Sequence, residues 1–149
     1  MVQEQRGPTE QAISWPPYGR WEESPDGKVA LIGSRCKSCG ETLFPERKVC
    51  PRCLGESLEE VRLEGPATLY SFTVVHQLPT GFTPPLTVGY GKFPEGVLVF
   101  APIDADPDRL VSGTPLALHT GVTKSDESGQ PVITYRFRPI PPSQEVEHA

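Results

Sequence analysis

Two Cys-x-x-Cys pairs, separated only by residues 40–49, constrain this chain more than any other feature. They contain its only cysteines: Cys36, Cys39, Cys50 and Cys53. Each pair can fold into a tight turn whose sulfurs point the same way, and two facing turns supply the four thiolates of a tetrahedral zinc site. Gly40 suits a backbone that doubles back after the first pair, and Pro51 presets the turn inside the second. The spacing therefore predicts a zinc ribbon with these four ligands.

Such a site would be structural, because four sulfurs leave no coordination position for a reactive water and no cysteine remains as a nucleophile. Other interpretations are compatible with the same cysteines. Two disulfides would suit a secreted chain, but residues 1–12 lack the apolar run of a signal peptide, which favours a cytoplasmic protein. A rubredoxin-type iron site needs the same four ligands, and a thioredoxin-like redox pair needs one motif.

The length of 149 residues suits a small metal-stapled module joined to a compact domain of about a hundred residues. We predict a Pro-rich arm at 1–28, a zinc ribbon at 29–64, a β-barrel at 65–140 and a polar tail at 141–149. The break Gly65-Pro66 marks the boundary between the two folded parts. The large apolar groups of the arm, Trp15, Tyr18 and Trp21, are expected either to fold back on their own domain or to dock on a partner.

The hydrophobic pattern indicates strands throughout. In the ribbon we expect a strand at 29–32, a short return hairpin formed by 42–45 with 48–49, and a strand at 58–63. Beyond the boundary the pattern predicts five strands, at 67–78, 86–93, 97–103, 115–123 and 132–138. A tight turn at 94–96, one helical turn within 104–110 that starts near Pro107, and a polar loop at 125–130 connect them. Five such strands predict a mainly β chain with a small closed or partly open barrel.

The charge distribution argues against nucleic acid as a ligand. The net charge is −5, and from residue 63 onward five basic residues face nine acidic ones. Non-specific nucleic-acid binding depends on neutralising phosphates, so we expect none here. A nucleic-acid-binding module is the alternative, with Tyr70, Phe72, Tyr90 and Phe93 as stacking platforms, but these residues serve a core equally well. No apolar stretch reaches the length of a membrane span, so no membrane partner is expected.

The sequence contains no convincing catalytic constellation. His76 and His119 lie on predicted strands without an acid or nucleophile beside them in sequence, and His148 lies in the tail. We interpret them as surface or structurally satisfied histidines. Neither a nucleophile-elbow motif nor a P-loop is present. We therefore expect this chain to have no active site of its own.

Several segments of the chain resemble those of a known protein family. The segment RCKSCGETLFPERKVCPRCLGESLEEVRLEGPATLYSFTVV, followed by GVLVFAPI and LVSGTPLAL, resembles a family of small zinc-ribbon/OB-fold proteins that associate with acyl-CoA enzymes. The resemblance covers about residues 29–140. It implies a rubredoxin-like zinc ribbon followed by a five-stranded OB-fold barrel. A Pro-rich arm stands where the family often has an amphipathic helix.

The resemblance also implies a function. Family members are accessory subunits of thiolase-type acyltransferases, in which the partner subunit supplies the nucleophilic cysteine, and one is the small subunit of the benzylsuccinate-pathway thiolase. This chain is thus expected to bind a thiolase-like protein, to support acyl-CoA binding and to serve β-oxidation of an aromatic acyl-CoA. A subunit of an acyl-CoA hydratase is the alternative.

CoA carries a 3′-phosphate and a pyrophosphate, so a surface that receives it needs cations or free backbone N–H groups. The ribbon is the part of the chain that is not acidic, and among its cations we expect Arg47, Lys48 and Arg52 to meet the CoA phosphates. The alternative is that these charges only solvate the ribbon or pair with Glu41 and Glu46.

Overall fold

The computed structural model describes residues 19–141, and nine β-strands with one short 3-10 turn make up their regular structure. No helix in this part of the chain is long and apolar enough to cross a membrane. The prediction of a mainly β chain is confirmed. The elements are β1 Arg20–Glu23, β2 Val29–Cys36, β3 Thr42–Leu43, β4 Leu58–Leu63, β5 Ala67–Val75, β6 Leu86–Lys92, β7 Leu98–Pro102, the 3-10 turn Pro107–Arg109, β8 Pro115–Ser125 and β9 Pro131–Pro139.

The first sheet is built around β2, which pairs antiparallel with β1, β3 and β4. Both faces of β2 are buried. Leu31 contributes to the hydrophobic core, and on the opposite face Ile32 is flanked by the charged side chains of β1 and β4. Arg20 of β1 lies opposite Ile32 and reaches Glu60 of β4 at 2.8 Å. An ion pair thus spans β2 above an apolar residue.

One part of the predicted ribbon is wrong. Residues 48–49 form no strand, and β3 pairs with β2 through Ser34 and Arg35 instead of forming its own hairpin. The segment after β3 is held beside β2 by a side chain. The N–H of Arg47 donates to Ser34 Oγ at 2.9 Å, and the hydroxyl of Ser34 donates to the Arg47 carbonyl at 3.2 Å. These two hydrogen bonds satisfy the backbone N–H and carbonyl of Arg47 without pairing to another strand.

The second sheet has the antiparallel order β7-β6-β5-β8-β9 and contains all five strands predicted after residue 65. β5 ends at Val75, three residues before its predicted end. The chain closes the sheet after β7, where Ile103 bridges to Phe137 of β9 and the N–H of Asp104 donates to the Phe137 carbonyl at 2.8 Å. The predicted tight turn is present at Gly96, whose N–H donates to the Phe93 carbonyl at 2.8 Å.

The two sheets share one hydrophobic core. Leu31 and Leu63 from the first sheet belong to the same buried cluster as Phe137 of β9 and Phe93, which directly follows β6. Within the barrel, Gly91 of β6 leaves room for the ring of Phe137, because a Cβ at this position would lie 2.7 Å from that ring. Because its core residues lie in this shared cluster, the first sheet depends on packing against the barrel as well as on its own turns.

Trp21 belongs to the part of the predicted arm that the structure describes. It pairs with Leu31 across β1 and β2, and only 4% of it is exposed. This tryptophan folds back on its own domain, which was one of the two outcomes expected for the arm. Trp15, Tyr18 and His148 lie outside the described residues. Of the four aromatic residues considered as stacking platforms, Phe93 is buried, Phe72 is partly buried, and Tyr70 and Tyr90 are exposed.

Candidate metal centre and its surroundings

The two cysteine pairs form turns with the same hydrogen bonds. In the first turn the Gly40 N–H donates to the Cys36 carbonyl at 2.8 Å. In the second the Leu54 N–H donates to the Cys50 carbonyl at 2.8 Å. A second pair of hydrogen bonds is also shared by the two turns: the Cys36 N–H donates to the backbone carbonyl of Glu41 and the Cys50 N–H donates to the backbone carbonyl of Gly55, each at 2.9 Å. The local sequence thus forms the same type of zinc-knuckle turn at both cysteine pairs.

These turns bring the four sulfurs together. The Sγ atoms of Cys36, Cys39, Cys50 and Cys53 all lie within 4.8 Å of one another. Cys36 Sγ is 3.5 Å from Cys53 Sγ, and Cys39 Sγ is 3.7 Å from Cys50 Sγ. Zinc–sulfur bonds of about 2.3 Å in a tetrahedron require sulfur–sulfur separations of roughly 3.8 Å, whereas a disulfide requires about 2 Å. The four free thiols therefore fit a tetrahedral metal ion and are not paired as disulfides in this structure.

The electrostatics of the thiols also suit a cation. The backbone N–H of Cys39, followed by that of Ser38, lowers the pKa of the Cys36 thiol to about 6 against the cost of its desolvation. The backbone N–H of Glu41 favours the Cys39 thiolate, but desolvation and the sulfur of Cys50 outweigh it and raise the pKa of Cys39 to about 12. Neighbouring sulfurs oppose simultaneous ionisation, and a divalent cation at their centre would remove that conflict.

The two turns differ at the residue with left-handed backbone. Gly40 has φ +82°, as expected from the sequence, whereas the corresponding residue of the second turn, Leu54, has φ 64° and is 74% exposed. A Cβ at Gly55 would lie 3.2 Å from Cys53 Sγ, so the glycine of the second turn serves close approach to sulfur instead. Sequence reasoning missed Leu54. The displaced glycine, one position later than in the first turn, is the signal that could have revealed it.

Substitutions at Leu54 and Gly40 should therefore change the free energy of unfolding in opposite directions. Leu54→Gly is expected to raise the free energy of unfolding by about 0.5–1 kcal/mol, because left-handed backbone costs an L-residue about 1–2 kcal/mol and the flexibility of unfolded glycine offsets part of the gain. Gly40→Ala is expected to lower it by about 1 kcal/mol through the backbone alone, since a Cβ there meets nothing within 4 Å. Urea unfolding of zinc-saturated protein measures both. Destabilisation by Leu54→Gly would contradict this account.

The ribbon cations predicted to meet CoA are not gathered into one cluster by any described contact. Arg52 Nη1 lies 3.1 Å from Glu41 Oε1, the pairing considered as the alternative. Arg47 and Lys48 are exposed, and Glu46 pairs with Arg20 at 3.1 Å rather than with either of them. Binding of CoA phosphates by Arg47, Lys48 and Arg52 stays a prediction.

A partly buried cluster of charged side chains in the barrel was not predicted from the sequence. Asp104 accepts hydrogen bonds from Arg136 Nη2 at 2.6 Å and Arg136 Nε at 2.9 Å. His119 Nε2 lies 2.7 Å from Asp104 Oδ2 without aligned hydrogen-bond geometry. Arg136 also donates to Thr123 Oγ1 at 2.8 Å. His119 and Arg136 are direct cross-strand partners on β8 and β9. Groups that can carry like charge directly opposite each other destabilise a sheet, so they favour a nearby acid, and this signal is present in the predicted strands 115–123 and 132–138 and the short loop between them.

Burial alone would raise the pKa of Asp104, but His119 and Arg136 outweigh it and hold the pKa well below its ordinary value. His119 thus has an acid partner from a distant part of the chain. His76 lies just beyond β5 and is exposed. Neither histidine has a described contact with a cysteine, serine or threonine nucleophile. The described arrangement is that of a structural ion cluster.

Together the ribbon turns and the five-stranded barrel define a zinc-ribbon/OB-fold protein. Comparison with protein families agrees: residues 30–59 match the ChsH2 rubredoxin-like zinc ribbon domain and residues 60–121 match the ChsH2 C-terminal OB-fold domain. The chain belongs to the ChsH2 (DUF35) family. The fold predicted from the sequence, a rubredoxin-like zinc ribbon followed by an OB-fold barrel, is confirmed.

Individual relatives cover most of the chain. The benzoylsuccinyl-CoA thiolase subunit BbsA of Thauera aromatica is 34% identical over 120 residues, which are 80% of this chain and 83% of the relative. A DUF35 domain-containing scaffold protein of Methanocaldococcus jannaschii is 31% identical over 118 residues, covering 76% and 84%. Among solved structures, the Ltp2-ChsH2(DUF35) aldolase matches with a TM-score of 0.60 and 26% identity, covering 74% of this chain and 84% of that chain.

Proposed function

We propose that this chain is a non-catalytic subunit of a thiolase-type acyl-CoA acyltransferase complex, in which it supports acyl-CoA binding and the activity of the partner. The observation that carries the proposal is its 34% identity to a benzoylsuccinyl-CoA thiolase subunit along 80% of its length. That relative favours an aromatic acyl-CoA as the substrate of the complex. The partner would be a thiolase-like protein.

The chemistry of the described residues is consistent with an accessory role. All four cysteines of the chain lie in the metal centre, so none is left to act as the acyl-accepting nucleophile. His119 and Asp104 are engaged with each other and with Arg136. The nucleophile and the acid/base groups of thiolysis would therefore come from the partner.

We further propose that Cys36, Cys39, Cys50 and Cys53 hold one structural zinc ion. The ion would fix the two turns at the end of β2, since Cys36 is the last residue of that strand. With four thiolate ligands it would supply rigidity and no open coordination site. We also propose the division of the chain at Gly65-Pro66, because β4 and β5 on either side belong to different sheets.

A second candidate is a subunit of an aldolase. The specific observation in its favour is the structural match to the Ltp2-ChsH2(DUF35) aldolase, which covers 84% of that chain. The two candidates share the accessory role and differ in the reaction of the partner. Assays of both reactions on the same purified complex separate them.

The test is reconstitution. The chain, co-expressed with a thiolase-like partner, is expected to co-elute with it, and the complex should turn over acyl-CoA at least tenfold faster than the partner alone. The rigorously purified chain should show no thiolysis or condensation by itself. Size-exclusion chromatography with light scattering and a steady-state thiolysis assay measure these quantities. Turnover by the single chain, or full activity of the partner alone, would overturn the proposal.

A further inference from the structure

A cleft lies where the first sheet meets the barrel. Its walls are the turn between β1 and β2, the connection from β4 to β5, and the neighbouring parts of β8 and β9. The volume is about 600 Å³. Small-molecule sites in proteins typically measure about 300–1,000 Å³ and often lie between structural units, so the cleft has the size and the position of a ligand site.

Three cations line this cleft: Lys28, Arg62 and Arg138. Arg62 is held in place by Glu22, whose Oε1 lies 2.5 Å from its Nη1. Lys28 and Arg138 have no carboxylate within 4 Å among residues 19–141. The cleft thus offers three cations against two carboxylates, Asp26 and Glu64, and Lys28 and Arg138 make no direct ion pair with either of them.

The two acids in the cleft are already engaged. Asp26 Oδ1 accepts a hydrogen bond from the N–H of Lys28 at 3.2 Å and another from the hydroxyl of Ser24. Glu64 accepts from Arg62 Nε at 3.4 Å. These bonds tie both carboxylates to their own wall, and the bonds of Asp26 also fix the turn that carries Lys28. The cleft keeps an excess of one positive charge over its two carboxylates, so an anionic group that enters it would meet a net positive lining on preformed walls.

Apolar groups supply the rest of the lining. Val29 and Ala30 are buried at the base of the turn, and Leu118 and Ile140 contribute from the barrel side. A ligand that combines a phosphate with an uncharged organic body would contact both kinds of surface. Inorganic phosphate alone would use only the cations.

We propose that this cleft binds the phosphorylated end of an organic ligand, with the phosphate or diphosphate on Lys28 and Arg138 and the organic body against the apolar lining. Within the proposed complex the ligand is the nucleotide end of acyl-CoA. That identification rests on the proposed function, whereas the anion site rests on the cleft itself. The site differs from the ribbon cations Arg47, Lys48 and Arg52.

The test uses the full, zinc-loaded chain and isothermal titration with CoA, 3′,5′-ADP, pyrophosphate and pantetheine, which has no phosphate. CoA and 3′,5′-ADP are expected to bind, more weakly at high salt, and pantetheine is not. Lys28→Glu with Arg138→Glu should weaken CoA binding at least tenfold. The matched control, Lys92→Glu with Arg109→Glu, makes the same charge change at exposed positions outside the cleft lining and should stay within twofold of the unsubstituted chain.

Amide shifts in two-dimensional NMR locate the ligand. They are expected at the turn around Gly27 and at Ala117 and Ile140. No CoA binding by the chain, unchanged affinity in the cleft variant, or shifts confined to residues 47–52 would overturn the inference. Tighter binding of pyrophosphate than of CoA would overturn the role of the apolar lining.

The proposed function is tested separately by assembly with the thiolase-like partner. If the complex forms and needs this subunit while the cleft variants bind CoA normally, the inference fails and the function stands. If CoA binds in the cleft but no thiolase-like protein assembles, the function fails and the cleft remains a phosphate-ligand site.

Discussion

Cys50→Ser is expected to release the zinc ion and to unfold the ribbon. Structural zinc in small ribbon and finger modules contributes roughly 10–16 kcal/mol of apparent binding free energy, which is comparable to the whole stability of a small domain at about 5–15 kcal/mol. Cys50 is fully buried, so its loss also leaves a defect among the three remaining sulfurs. Serine is a poor zinc ligand because its hydroxyl stays protonated at neutral pH.

The effect should reach the barrel. β2 carries Cys36 at its end and Leu31 at its centre, and Leu31 packs in the same core as Phe137. A ribbon that opens therefore removes apolar contacts from the barrel, and the midpoint of barrel unfolding should fall with it. Zinc removal from the unsubstituted chain by a chelator should have the same consequence.

Elemental analysis and urea unfolding followed by near-ultraviolet circular dichroism provide the measurement. About one zinc per chain is expected in the unsubstituted protein and none in Cys50→Ser. Ser38→Ala is the matched control, since Ser38 lies between two ligands and is exposed, and it should keep the metal and the stability. Equal stability with and without zinc would contradict a structural role for the ion.

The sequence determined the metal turns because their information is local. Two Cys-x-x-Cys pairs and the glycine after the first specify the sulfurs and the backbone reversal within a few residues, and the structure gives Gly40 the positive φ expected of it. Strand positions in the barrel followed from alternating hydrophobicity in the same way. These features need no knowledge of distant contacts.

Apart from Leu54, the features that were missed depend on residues far apart in the chain. Pairing of β3 with β2, instead of a hairpin with residues 48–49, follows from Ser34 holding the backbone of Arg47. The ion cluster joins Asp104, after β7, to His119 on β8 and Arg136 on β9. Local pattern assigns each of these residues to an element but does not state which elements become neighbours in the barrel.

Asp104→Asn is expected to destabilise the barrel by about 2–3 kcal/mol. Arg136 is only 8% exposed, and breaking a buried pair typically costs 3–5 kcal/mol because the remaining charge lacks a partner. We expect the lower figure since 38% of the Asp104 side chain is exposed and water partly screens the pair. Asp108→Asn, at an exposed position in the same connection, is the matched control and should change stability by less than about 0.5 kcal/mol.

The same pair predicts a pH dependence with a definite sign. The pKa of Asp104 is lower in the folded protein than its ordinary value, which applies when the chain is unfolded. The stabilisation is therefore fully present above the unfolded pKa of about 4 and is lost as the pH falls below it. The difference in unfolding free energy between the unsubstituted chain and Asp104→Asn should shrink as the pH falls from 5 to below 4. Taking this difference cancels acid effects on the zinc site, which both proteins share. A difference that failed to shrink between pH 5 and pH 3 would show that the Asp104 carboxylate does not stabilise the fold.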